Sequence, residues 1–240
     1  KETWAMSDSS SVGVLSNIFT APSLAFAAIK ERPNPWLPLL VLMAGIFLQQ
    51  FMYMRAVDYP WLMDQQLQQA GNLTEAQRAQ TVDAMASLPS SAMGVIYGVI
   101  GAISIMIVYA LFALYYTGVS FATNDGHKFK QWLALIAWCS LPGLLGIIAS
   151  LVNLQVTDAR FLLPTQLNPL SFGSLLGVDQ QGGSVVEAYL MALDVTVLWS
   201  LVLTILGYQA FTKRSTATSA LVVLAPYGVI ALIVTLLALT

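Results

Sequence analysis

The chain has 240 residues, 57% of them hydrophobic and only 9% charged, with a net charge of −2. Soluble domains carry about a quarter of their residues as Asp, Glu, Lys and Arg, so this is the composition of a membrane protein, and its balance offers nucleic acid no basic surface. One cysteine, Cys139, and one histidine, His127, exclude an internal disulfide, a Cys-based metal cage and a His-rich zinc site. No cofactor and no enzyme active site are expected.

Lys1 to Ala5 precede Met6 and read as residues added ahead of a start, outside the fold. A serine run follows, not a signal peptide. Residues 6–240 form one domain, with no linker-like stretch dividing it. From Leu15 to Arg32, Leu15, Ile18, Phe19, Phe26 and Ile29 make an apolar face, and Pro22 suits a first helical turn. The stretch is too short to span. It predicts a cytoplasmic interfacial helix, lying on the membrane surface or packed on the end of the bundle.

Crossing the hydrocarbon core takes about 20 apolar residues as a helix, and five stretches qualify. They are Trp36 to Met54, Ser91 to Phe121, Gln131 to Val156, Val185 to Phe211 and Ala217 to Leu239. The expected class is all-α, a polytopic bundle of five transmembrane helices. Between the first two spans, Tyr59-Pro60-Trp61-Leu62 leads into a Gln-rich segment. Thr74-Glu-Ala-Gln77 then resembles a capping box, so an outer helical hairpin is predicted. Trp36, Tyr53, Trp61, Tyr115, Tyr116 and Trp132 lie at span ends as interfacial anchors.

With the N-terminus inside, the inner segments hold Lys30, Arg32, Lys128, Lys130, Lys213 and Arg214, and the outer ones hold Arg55, Arg78 and Arg160. This bias predicts an N-in, C-out protein of a bacterial inner membrane. His127, beside Lys128 in a short inner turn, reads as solvated.

Three segments carry a family resemblance. Ile18-Phe19-Thr-Ala-Pro22-Ser-Leu-Ala-Phe26-Ala-Ala-Ile29-Lys-Glu-Arg-Pro33 resembles the entry segment of bacterial proteins in the Ypt-interacting-protein (Yip) family. His127-Lys-Phe129-Lys-Gln-Trp-Leu-Ala-Leu-Ile-Ala-Trp138-Cys-Ser-Leu-Pro142 is similar to that family's third helix, and Leu193-Asp194-Val-Thr-Val-Leu-Trp199 through Gly207 to its fourth. The resemblance implies a five-helix membrane domain, and its eukaryotic members are associated with Rab-type GTPases, vesicle traffic and membrane shape. The chain lacks their Asp-Leu-Tyr-Gly-Pro-like stretch, so a GTPase partner does not carry over.

Among candidate functional residues Asp194 leads, because an acid at the centre of a spanning helix costs about 2.5–3.5 kcal/mol. On a continuous fourth helix it lies about 14 Å deeper than Val185. Glu187, seven residues earlier, shares its face, and Tyr208 continues it. Two readings follow. One is a proton or cation path through Asp194, Glu187, Tyr208 and Asn153, as in a small transporter or channel. The other is a structural hydrogen-bonding group inside a non-enzymatic protein that organises membrane or recruits a partner. Gly94, Gly98 and Gly101 make a small-residue surface for helix packing, within the chain or between copies in a homo-oligomer. Pro142 and Pro226 are expected to kink the third and fifth helices. The lipid bilayer is the one partner the composition demands.

Overall fold

The computed structural model describes residues 11–70, 73–178 and 185–238, so the readings on Lys1 to Met6 and on the last two residues lie outside it. Among the described residues the fold is helical, with a single isolated bridge between Ser171 and Asp194. Two short helices, α1 (Ser11–Thr20) and α2 (Pro22–Glu31), precede α3 (Trp36–Ala56), and α4 (Tyr59–Ala70) and α5 (Glu75–Ala86) follow it. The long α6 (Ser90–Thr123) returns across the bundle. It is followed by α7 (Phe129–Cys139), α8 (Gly143–Val156) and the one-turn α9 (Phe172–Leu175). Last come α10 (Val185–Ala192), α11 (Val195–Thr212) and α12 (Thr216–Ala238).

The helices α3, α6, α11 and α12 are each long and apolar enough to cross a membrane, and α7 with α8 is apolar enough to count as a fifth only if the pair, bent by 43°, crosses as one span. The bend falls at Leu141-Pro142. Pro142 has no N–H to offer, and Leu141, Gly143 and Leu144 bond instead to carbonyls three residues back, Trp138, Ser140 and Leu141. α12 runs through Pro226 as one helix.

Two ends of the bundle differ in charge. Among the described residues, Lys30, Arg32, Lys128, Lys130, Lys213 and Arg214 stand against Glu31 and Asp125 at one end, called here the Lys30 end. The other, the Arg160 end, carries Arg55, Arg78 and Arg160 against Asp58, Asp64, Glu75, Asp83, Asp158 and Glu187. There α4 and α5 pair as a hairpin held by Arg78 Nε to Asp64 Oδ1 at 3.0 Å, and Thr74 and Gln77 complete a capping box. Tyr53, Tyr59, Leu62, Met93 and Leu154 make a small core over that end. Burial pushes the Tyr59 phenol up to about 12, with Tyr97 adding to the shift.

Gly94, Gly98 and Gly101 of α6 face α3. A Cβ on Gly98 would lie 2.7 Å from Phe47 Cδ2, one on Gly94 2.9 Å from Phe51 Cδ2, and one on Gly101 2.9 Å from Ile46 Cγ2. Two backbones this close tolerate no side chain between them. Small residues permit such contact in a bilayer, where no hydrophobic force drives helices together.

Three expectations need correction. The entry segment is two helices, because Ala21 turns the chain and Pro22 starts a new one. Ile18, Phe26 and Ile29 are buried, while Leu15 and Phe19 are exposed. Of the aromatic anchors, Trp36 is exposed, but Tyr53, Tyr116 and Trp132 are core residues. Their size fills the bundle where small aliphatic side chains would leave voids. Finally, the fourth span is broken at Leu193-Asp194.

Candidate functional site

That break creates the most polar interior site. Leu193 O accepts from Phe172 N at 2.9 Å, which draws the chain into an extended turn beside Ser171. Asp194 is the N-cap of α11. Its Oδ1 accepts from Val197 N at 2.8 Å and from Thr196 Oγ1 at 2.7 Å. An aspartate satisfies the free N–H groups of a helix start and complements its dipole.

Asp194 Oδ2 accepts from Asn168 Nδ2 at 2.5 Å. The amide orientation is fixed, since Asn168 Oδ1 accepts from Leu170 N at 3.0 Å. Asn168 O in turn accepts from Ser171 N and Ser174 Oγ. Behind the carboxylate lies Gly146 of α8, where a Cβ would come within 3.2 Å of Asp194 Oδ2. Both carboxylate oxygens are thus engaged by donors, and the residue is 7% exposed. Hydrogen bonds to a charged group contribute about 1.5–3 kcal/mol each. The arrangement starts a helix and ties the 163–175 segment to it.

Asn153 belongs to the same region. Its Nδ2 donates to Leu167 O at 3.1 Å and Gln166 O at 3.2 Å, so α8 holds the segment that presents Asn168. Glu187 lies in the first turn of α10. The seven-residue spacing does not put it on one face with Asp194, because the helix between them is interrupted. Depth changes as well. α11 alone has 18 residues, about 27 Å of helix for a core of about 30 Å. Asp194 therefore sits near the Arg160 end of a span, and not at the middle of one.

Tyr208 is elsewhere. It stacks on Trp132 with ring centroids 5.2 Å apart, in a cluster with Tyr116 and Phe211 toward the Lys30 end. Fourteen residues of α11 separate it from Asp194, about 21 Å. Trp132 Nε1 donates to Ser120 Oγ at 2.9 Å. His127 is half-buried, its ring against Trp132 and Phe211 and its Nε2 2.9 Å from Phe211 O. Lys30 Nζ donates to that same carbonyl at 2.7 Å. A lysine at a helix C-terminus satisfies an orphan C=O and offsets the negative end of the dipole.

Among the described residues no group of three His, Cys, Asp or Glu side chains could hold a metal. Asn168, Thr196 and Lys30 were missed as site residues. An Asp immediately before an apolar run, followed by Thr196, is an N-cap signal legible in the sequence. The contacts of Lys30 and Asn168 join residues 181 and 26 positions apart and leave no local trace.

The Yip1 domain model matches residues 16–239, from the middle of α1 to the last helix. The chain belongs to the Yip1 domain family. It is also similar to membrane protein YknW of Bacillus subtilis, 27% identical over 194 residues covering 80% of this chain and 76% of that protein. No solved structure matches. The family match begins within α1, so the α1–α2 pair is part of the Yip1 domain and not an appendage to it.

Proposed function

We propose that this Yip1 domain protein organises the membrane around it, with α1 and α2 acting as a one-sided insertion into the leaflet at the Lys30 end. The supporting observation is how far this pair reaches along α11. Lys30 sits at Phe211, Phe26 beside Gly207, and the Phe19 ring meets Trp199 with centroids 5.5 Å apart. From Phe211 to Trp199 is twelve residues, about 18 Å of helix, more than half of a hydrocarbon core of about 30 Å. Val12 at 73% exposure, with Leu15, Phe19 and Leu24, gives the pair an apolar outer face at that depth. Apolar volume added to one leaflet and not the other favours bending. The Lys and Arg excess supports a cytoplasmic Lys30 end, with the C-terminus outside, in a cell membrane.

Liposomes of increasing protein content test this by vesicle radius in electron cryomicroscopy. The parent protein narrows the radius distribution as its density rises, and a Val12→Gln, Leu15→Gln, Phe19→Gln variant does so far less. Equal radii for parent and protein-free vesicles would defeat the proposal. Proton or cation flux that Asp194→Asn abolishes would favour the path through Asp194 in its place.

A further inference from the structure

Beside the α1–α2 pair lies a cavity of about 720 Å³ between α2 and α11. Phe26, Ala27, Leu206 and Ala210 line it along the helices, and Lys30, Lys213 and Glu31 stand at the end where both helices close. Its size falls within the range of about 300–1,000 Å³ that holds small amphipathic molecules. We propose that this groove is a binding site for one anionic phospholipid, its phosphate held by Lys30 and Lys213 and an acyl chain lying along Phe26, Ala27, Leu206 and Ala210.

The chemistry fits on three counts. The groove runs from a charged end into apolar wall, which is the polarity of a lipid in its own leaflet. Lys30 has three N–H donors and gives one to Phe211 O, which leaves two for a phosphate. That bond also offsets the negative end of α11, which would otherwise repel an anion. At the mouth, Lys30, Arg32, Lys213 and Arg214 outweigh Glu31 and Asp125, so the local field attracts anionic headgroups. The site does not depend on whether the helical pair bends the membrane.

The test is thermal stability and lipid retention by native mass spectrometry in detergent, with phosphatidylglycerol, phosphatidylcholine or glycerol phosphate added. Phosphatidylglycerol raises the melting temperature of the parent and stays bound, and phosphatidylcholine does neither. Lys213→Asn, chosen because Asn tolerates the left-handed backbone (φ 61°) of Lys213, weakens phosphatidylglycerol binding about five-fold. The Lys30→Gln, Lys213→Asn pair weakens it about thirty-fold, and Ala27→Leu weakens it by filling the groove without changing charge. Lys128→Gln with Lys130→Gln leaves it within about two-fold, because these side chains lie outside the groove. Equal loss in that control pair would mean general surface attraction and would overturn the site. So would an equal response to glycerol phosphate, which would mark a free-phosphate site, or an unaltered affinity in Lys213→Asn.

Discussion

Asn168 Nδ2 lies 2.5 Å from Asp194 Oδ2, joining a loop at the Arg160 end to the N-cap of α11. The opposite carboxylate oxygen is held by Thr196 and Val197, so the acid has donors on both sides. A neutral amide can accept on one side only. Asp194→Asn therefore loses one contact and costs about 1–3 kcal/mol. Asp194→Leu loses the cap and strands Asn168, at about 2–5 kcal/mol. Thermal melts in detergent should rank parent above Asn above Leu. A Leu variant as stable as the parent would show that the network contributes nothing.

The glycine face of α6 gives an internal comparison. At Gly98 a Cβ meets Phe47 Cδ2 at 2.7 Å, and Phe47 O at 3.0 Å, while at Gly118 nothing lies within 4 Å. Gly98→Leu should cost on the order of 1–3 kcal/mol or more from overpacking. Gly118→Ala should be neutral or gain a few tenths from helix propensity. Similar melting temperatures for the two variants would contradict the α3–α6 contact.

If the bent α7–α8 pair crosses as a fifth span, the termini lie on opposite sides. An alkaline phosphatase reporter fused after Thr240 should be active, and the same reporter joined ahead of Ser11 should not. Activity of both or of neither would mean that the bent α7–α8 pair re-enters and does not cross.

Cys139 ends α7 with no exposed surface, packed in the main core. A buried thiol is chemically inert. A membrane-permeant maleimide should leave it unmodified in the folded protein and label it fully in dodecyl sulfate. Labelling at comparable rates in both states would show that the bundle opens at the Pro142 bend.

Composition and run length alone determine that this is a helical membrane protein, because lipid leaves a backbone no other local way to satisfy its polar groups. The 3.6-residue period and cap chemistry made the α4–α5 hairpin legible through Thr74 and Gln77. Tertiary structure decided the rest. Val185 to Phe211 is apolar enough to read as one span, and hydropathy does not register that Asp194 finds more donors as a cap than as a mid-helix residue. That choice needs Asn168 and Gly146, which are distant in the chain. The N-terminal segment has apolar residues on two sides of its helices, and only the position of α7 and α11 settles which of them are buried. Lys30 counts as one basic residue in a topology argument, but its bond to Phe211 O places it at the mouth of a groove. Hydrophobic burial has no direction, so a sequence displays it plainly. Hydrogen bonds are directional and join remote residues, so only the folded chain shows them.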